Sequence, residues 1–372
     1  MTEHVRSAAM MESTSPLLVT GGCGFIGGNF VHHMLERAPG LRLVVLDKLS
    51  YAANPQTLAE PLASGRVELV QGDIADRALV DRLLAEHRPQ AIVHFAAESH
   101  VDRSIHGPAA FVQTNVVGSF TLLEAARAHV ARLDAEGRAA FRFLQVSTDE
   151  VFGSLGEGDA PFAETHPFAP NSPYSASKAG ADHLARAYFH TYGLPVLTTH
   201  CSNNYGPFHF PEKLIPLVIL RALRGEALPV YGDGRQVRDW LYVRDHCEAL
   251  ARVLEAGRPG ETYNIGGDSE RRNLDVVRAI CARLDALRPR ADGRAYAEQI
   301  RFVTDRPGHD RRYAIDASKI RRELGWRPRE SFESGLDKTV GWFLDHGDWV
   351  QAIESGSYRD WIAQQYGARV AA

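Results

Sequence analysis

An α/β fold with a doubly wound parallel sheet, followed by a smaller C-terminal α/β substrate lobe, is predicted by three observations. Short apolar runs alternate with amphipathic helix-length stretches through the first half of the chain. The first run, LLVT, feeds directly into glycines spaced G-x-x-G-x-x-G at Gly21, Gly24 and Gly27. From Asn203 onward, Pro207, Pro211, Pro216 and Pro229 break the alternation into shorter elements. The expected division is a sheet domain over 16–202 and a second lobe mainly over 203–372, with some segments returning to the sheet. Residues 1–15 are polar and lack the apolar core of a signal peptide, so they are expected as a disordered extension. Met10 and Met11 also allow a later start.

Each element follows from its local pattern. The stretch 17–30 reads as strand, glycine turn and helix start, with Phe25 and Ile26 opening the helix. One glycine permits the tight turn, one lets backbone approach a pyrophosphate, and one lets helix pack on strand. Free N–H groups at the helix N-terminus then meet the phosphates. A second buried strand, 41–46, ends at Asp47, which lies 20 residues beyond Gly27. A carboxylate there accepts from an adenosine ribose and repels a 2′-phosphate, favouring NAD over NADP. A third strand at 67–70 leads to Asp73, within reach of an adenine amino group, and a helix is expected at 77–87. A fourth strand at 91–95 leads to Ala96 and Ala97, small enough for a cofactor to cross the strand end. A long helix at 108–130, a fifth strand at 141–146, a helix at 172–192 and a sixth strand at 196–200 complete the alternation. Further helices are expected at 211–223, 244–256, 273–287 and 332–346. Ligands of such sheets sit at the carboxyl ends of the strands, so the residues just after each strand carry the interest.

Composition excludes several classes. A net charge of −4 gives no nucleic-acid footprint. No apolar run approaches the roughly 20 residues of a membrane span. The four cysteines are scattered without a C-x-x-C pair, which reads as free thiols in a reducing, cytoplasmic setting. The 16 histidines show no ligand spacing beside carboxylates, so no metal is expected.

The chemistry concentrates in two places. The fifth strand runs into Ser147-Thr148-Asp149-Glu150. Side chains of an extended segment alternate, but a bend can turn both acids toward one cleft. Asn171-Ser172-Pro173 then starts a helix carrying Tyr174 and Lys178 on one face at i and i+4. A phenol is a poor base at its ordinary pKa of about 10. A neighbouring ammonium favours the phenolate, so the pair is suited to removing a hydroxyl proton while hydride leaves the same carbon.

The segments TGGCGFIGG, AAESHVDRS, STDEVFG, YSASK, NNYGPFHFPEKLIP, VYGDGRQVRDWLYVRDH and DRPGHDRRY together resemble the extended short-chain dehydrogenase/reductase family, with its Rossmann sheet. Within it they are similar to the NAD-dependent sugar-nucleotide 4,6-dehydratases that act on dTDP-glucose. The resemblance runs from Leu17 to the C-terminus. One departure is Phe152, where relatives usually carry Tyr.

The resemblance implies an internal redox dehydration to a 4-keto-6-deoxy sugar, supplying deoxysugar synthesis. Tyr174 acts as base at the 4-hydroxyl, Lys178 stabilises the phenolate, and Thr148 holds the 4-oxygen. Glu150 removes the C5 proton and protonated Asp149 assists loss of the C6 hydroxyl. It also implies NAD contacts from Lys48, Ser50, Ile74, Phe95, Ser99, Thr114 and Asn204 besides those above. Substrate contacts are expected from Ser99, Asn203, Lys213, Leu214 and Arg238, and by resemblance from Asn273, Arg306 and His309. Pro229 and Tyr231 are expected to frame the base, with Tyr366 a further candidate. A homodimer is implied, paired through the helices at 108–130 and 172–192. The alternatives are a UDP- or CDP-sugar 4,6-dehydratase, an epimerase or a decarboxylase of the same fold. The two adjacent acids argue against the epimerase. A non-catalytic NAD-sensing protein would be expected to lose Tyr174, Lys178 or the acids, and all are present.

Overall fold

The structure, a computed structural model, describes residues 15–354. The expected extension, apart from Ser15, lies outside the described residues, as do Met10, Met11 and Tyr366.

Seven strands form the main sheet. They are β1 (Leu17–Thr20), β2 (Leu43–Asp47), β3 (Val67–Gln71), β4 (Ala91–His94), β5 (Arg142–Thr148), β6 (Val196–Cys201) and β10 (Thr262–Ile265). Their order is β10-β6-β5-β4-β1-β2-β3, with every pairing parallel. The chain runs outward one way from β1 and the other way from β4, so the two strands flank the point where the winding reverses. Ligand clefts of doubly wound sheets open there.

Strands covered by helices on both faces are withdrawn from solvent, and β1, β2, β4, β5 and β6 are buried at every residue, polar ones included. Alternation then divides them between layers. Leu17 and Val19 pack with α1 (Phe25–Arg37) through Phe30, Val31 and Met34. Leu18 joins the opposite layer, where α2 (Arg77–His87) supplies Val80, Leu83 and Leu84. That layer continues with Leu122 and Leu123 of a later helix and with Ala185 and Tyr188 of α5 (Pro173–Tyr192).

Two expected helices are redrawn. The stretch 108–130 is not one continuous α-helix: Pro108–Phe111 is α-helical, Val112–Gly118 is a π-helical segment, and α4 (Ser119–Ala131) follows α3 (Val101–His106) only after this break. The Asn115 side chain lies inside the π segment. Its Nδ2 donates to Glu98 O (3.0 Å) and Ser177 Oγ (2.8 Å), while its Oδ1 accepts from Glu98 N (2.8 Å). These non-helical partners tie the segment to the β4 exit loop and α5, which a periodicity argument does not register. The helix expected from residue 211 begins at Leu214, as α6 (Leu214–Leu223), because Lys213 is held in extended conformation as its N-cap. The strand expected at 41–46 is shifted to 43–47 and therefore includes Asp47.

The later chain divides its loyalties. α7 (Val243–Ala256) packs Leu250, Val253 and Leu254 into the same layer as α1, and β10 extends the main sheet beside β6. The remainder builds a separate core from Ile215, Val218, Val276, Ile280 and Val340, contributed by α6, α8 (Asn273–Leu287) and α9 (Phe332–Asp345). Two small sheets edge this core. One orders β11 (Glu270–Arg272), β9 (Val237–Tyr242) and β7 (Asn203–Tyr205); the other pairs β12 (Ile300–Val303) with β8 (Leu228–Tyr231). Among the described residues no helix is long and apolar enough to cross a membrane. All four cysteines are buried and unpaired.

Candidate active site

A cavity of about 350 Å³ opens at the carboxyl ends of β1, β2, β4, β5 and β6. One wall is backbone. Gly21 follows β1 with φ +72°, and a Cβ there would sit 2.6 Å from Ala96 N. A Cβ on Gly27 would lie 2.3 Å from Gly21 O, so helix and turn touch only because neither carries a side chain. Gly24 is the N-cap of α1 and supplies no side-chain cap, which leaves the helix N–H groups open to an anion. Phe25, Ile26, Lys48, Ser50, Ile74, Phe95, Ala97, Ser99 and Thr114 also line the space.

Asp47 lines the cavity and is buried. Its Oδ2 accepts from Cys23 N and its Oδ1 from Leu49 N, each at 2.8 Å. Burial raises its pKa and the two N–H donors oppose that rise. A carboxylate oxygen accepts more than one bond, so Asp47 fastens the glycine turn and retains acceptor capacity for a hydroxyl. Asp73 also lines the cavity and pairs with Lys48 at 2.8 Å.

The opposite wall carries side chains. β5 ends in the bend that two cleft-facing acids require: Asp149–Phe152 is a 3₁₀ turn, with Thr148 Oγ1 accepting from Glu150 N at 3.3 Å. The bend separates the acids instead of aligning them. Thr148 and Glu150 line the cavity, whereas Asp149 is 2% exposed, outside the lining, with Oδ2 unpartnered. The environments differ accordingly. Burial raises Asp149 well above the carboxylate range, and Glu150 and Asp239 add to it. Burial also raises Glu150, but Arg306, Arg238 and Lys213 pull it back. Both carboxyl groups are thus raised, Asp149 the further, so Asp149 holds its proton to higher pH than Glu150.

α5 starts as its sequence dictates: Ser172 and Ser175 form a capping box with Pro173 in the first turn. The helix brings Tyr174 and Lys178 to the cavity, both buried. Enclosure works against the phenolate. Burial, then Glu150, raise Tyr174 well above its ordinary value, and the opposing influence is the Thr148 hydrogen bond. The Lys178 ammonium is turned to Val146 O at 2.8 Å.

The second lobe adds Asn203, Asn204, Lys213 and Leu214 to the lining. Lys213 Nζ donates to Ser99 O at 3.0 Å. Asn204 is bound on both sides, to Ser202 O and His246 Nδ1, each at 2.9 Å. Pro229, Tyr231, Arg238, Asn273, Arg306 and His309 lie outside the cavity lining. Several of them converge with one another. Arg306 Nη1 donates to Asp102 Oδ1 and Tyr231 OH to Asp102 Oδ2, each at 3.2 Å, and the Tyr231 and His309 rings meet edge to face at 6.0 Å. Arg238 donates to Asp310 O at 3.0 Å and lies 4.2 Å over the Tyr313 ring. The Asn273 Oδ1 atom is buried without a partner. Phe152, the departure from the family pattern, packs among Phe162, Phe168, His166 and His200, an apolar niche that leaves no need for a hydroxyl.

Sequence reasoning missed Asp102, Asp310, Tyr313 and Asp182. The first three sit inside AAESHVDRS and DRPGHDRRY, and Asp182 is one helical turn beyond Lys178, so position within a motif or on a face was the signal available.

The family description GDP-mannose 4,6 dehydratase matches residues 18–339. A dTDP-glucose 4,6-dehydratase from Xanthomonas campestris pv. campestris (strain B100) is 65% identical over 342 residues, covering 92% of this chain and 97% of the relative. The chain belongs to the dTDP-glucose 4,6-dehydratase family. The protein named dTDP-glucose 4,6-dehydratase 1 from Escherichia coli K12 is 55% identical over 95% of this chain and 99% of its own length. Among solved structures, a dTDP-glucose 4,6-dehydratase from Bacillus anthracis in complex with NAD superposes with TM-score 0.81 at 44% identity, covering 91% of this chain and all of that one. A UDP-glucose 4-epimerase from Thermus thermophilus with NAD superposes with TM-score 0.77 at 30% identity, covering 89% of this chain and 99% of that one. Dehydratases and epimerases therefore share this fold, and the fold alone does not choose between their reactions.

Proposed function

We propose that the chain is an NAD-dependent hydro-lyase that converts dTDP-glucose to dTDP-4-keto-6-deoxyglucose by internal redox. The observation that carries the reading is the divided acid pair, Asp149 enclosed and Glu150 at the cavity beside three cations. An epimerase needs only oxidation and return at C4; loss of water needs a base and an acid as well.

The residues fit NAD. The contact of Gly27 with Gly21 leaves no room for side chains, the uncapped start of α1 suits a pyrophosphate, and Asp47 suits a ribose. Bound NAD supplies a hydride acceptor that gives the hydride back within one turnover. Tyr174, as phenolate, takes the proton of the 4-hydroxyl as the C4 hydride departs and becomes the neutral phenol, and Thr148 orients the 4-oxygen. Lys178 stabilises the phenolate before the transfer, which burial of the phenol makes necessary. The 4-ketone acidifies C5–H, and Glu150 accepts that proton. Asp149, held neutral by burial, donates to the C6 hydroxyl, which departs as water. Hydride then returns to C6 and Glu150 returns the proton to C5. Asn203, Lys213 and Leu214, with Arg238, Asn273, Arg306 and His309, would hold the sugar nucleotide. Planar guanidinium groups match phosphate oxygens bidentately. Pro229, Tyr231 and Tyr366 would frame the base.

We also propose a cytoplasmic homodimer. Val112 (51% exposed), Phe120 (45%) and Tyr192 (54%) leave an apolar face along the π segment, α4 and the end of α5. An isologous pairing would cover it. Light scattering on the purified protein tests this, and a monomeric mass overturns it.

The activity is tested by incubating the protein with dTDP-, UDP- and CDP-glucose, with and without added NAD. The 4-keto-6-deoxy product from dTDP-glucose is expected. Turnover of another nucleotide sugar in its place would refute the assignment.

A further inference from the structure

We propose that Asp182 is a positioning residue for the reaction, acting through Lys178 as the buried counter-charge of its ammonium. The proposal rests on the reading above and extends it beneath the cavity floor.

The geometry begins with helix periodicity. Lys178 and Asp182 are i and i+4 on α5, so they share a face, and both are buried. A buried ammonium needs compensation. Lys178 Nζ meets a neutral carbonyl, Val146 O, in place of a carboxylate. Burial favours the uncharged amine, and the Asp182 carboxylate is the first influence that opposes it.

The structure holds that carboxylate in place from two strands. Ser147 Oγ donates to Asp182 Oδ2 at 2.6 Å, and Gln145 Nε2 donates to Oδ1 at 3.4 Å, both from β5. His200 Nε2, from β6, lies 3.1 Å from Oδ2, and an acceptor there selects the Nε2–H tautomer. Ser147 and His200 are register partners across the β5–β6 pair, so both strands present a donor at the same level. Ser147 directly precedes Thr148, which ties the carboxylate to the segment that bears Thr148 and the acids.

The other titratable groups around Lys178 are identifiable. Tyr174 lies one turn back on α5, Cys201 follows His200 on β6, and His94 stands on β4. Burial keeps His94 neutral, at a pKa of about 3, and burial also raises the Cys201 thiol far above its ordinary range. Neither is charged near neutral pH, so His94 and Cys201 cannot take the place of Asp182. Removing the Asp182 charge therefore lowers the pH at which Lys178 loses its proton, and the alkaline limb of the first hydride transfer moves down.

The test uses full-length protein with NAD and dTDP-glucose, following the first hydride transfer as absorbance at the nicotinamide and the full reaction as ketone product. Wild-type product formation is measured first; its absence refutes the dehydratase reading, independently of Asp182. For Asp182→Asn, the alkaline limb should move down by about one pH unit. Well above the wild-type limb, the rate of the first hydride transfer should fall about tenfold relative to wild type, with KM for dTDP-glucose within about twofold. Asp182→Glu, which keeps the charge, should leave the limb within a few tenths of a unit. A uniform loss of rate with an unmoved limb in Asp182→Asn would reduce Asp182 to a structural residue and overturn the proposal. If Asp182→Asn does not fold, Asp182→Glu decides: a limb displaced although the charge is kept also overturns it.

Discussion

The glycine turn after β1 and the arginine cluster of the second lobe are both proposed to meet anionic groups, but they are built in opposite ways. The turn is backbone: Gly21 and Gly27 approach within a distance no side chain tolerates, and the proposed anion site is the bare start of α1. The cluster is side chain. Arg306 is held by Asp102 from α3, and Arg238 by Asp310 and the face of Tyr313. A local backbone device is fixed by spacing within a dozen residues. A side-chain device depends on which distant elements arrive beside it. The comparison also separates two failure modes, because a backbone site has no slack and a side-chain site can lose one arm and persist.

The largest effect is expected where the two regions meet. Glu150 stands at the cavity with the second-lobe cations pulling on its charge. Glu150→Gln should still transfer the first hydride but slow water loss roughly 10²–10⁴-fold. Stopped-flow absorbance together with product analysis checks this, and loss of C4 oxidation alone would put Glu150 in the wrong step. Its pH behaviour follows the same logic. A base with a raised pKa is fully ionised only at higher pH, so elimination should rise through a range above the ordinary carboxylate value of 4.5. It should fall again as Asp149, raised further, loses its proton.

Gly27→Ala breaks the backbone side. The new Cβ would meet Gly21 O at 2.3 Å, and backbone cannot step aside as a flexible side chain can. Activity should drop about 100-fold, with NAD lost on gel filtration. Arg306→Ala breaks the side-chain side. It should raise KM for dTDP-glucose roughly 10- to 100-fold while NAD retention stays as in wild type. If Arg306→Ala instead shed NAD, the two regions would not be separable.

The effect of Asp149→Asn on folding stability, apart from its loss of activity, is the smallest and sharpens the contrast between function and fold. Asp149 binds a proton more tightly folded than unfolded, so its contribution to stability declines as pH rises from its ordinary value of 3.8 toward its raised one. The amide cannot ionise. Asp149→Asn should therefore gain about 1 kcal/mol over wild type at pH 8 and much less at pH 5, read as the difference in Tm. A gap that shrinks with rising pH would contradict the enclosed, neutral acid.

Much of this protein was legible in one dimension. The strand runs, the glycine turn, the Ser172-Pro173 helix start, and Tyr174 with Lys178 at i and i+4 are local patterns, and local geometry enforces them. Other features were not. Within the π segment at Val112–Gly118, Asn115 is tied to Glu98 and Ser177, partners 17 and 62 residues away. The phenol of Tyr174 is raised by its enclosure in the folded chain and by Glu150, neither of which its helix position shows. Asp149 and Glu150 are adjacent in sequence, yet one turn of 3₁₀ helix sends one into the interior and the other to the cavity. Which residue types stand at the strand ends follows from periodicity and spacing, which are properties of neighbours. How readily each of them ionises follows from the folded arrangement, because that depends on burial and on partners that the chain brings together from afar.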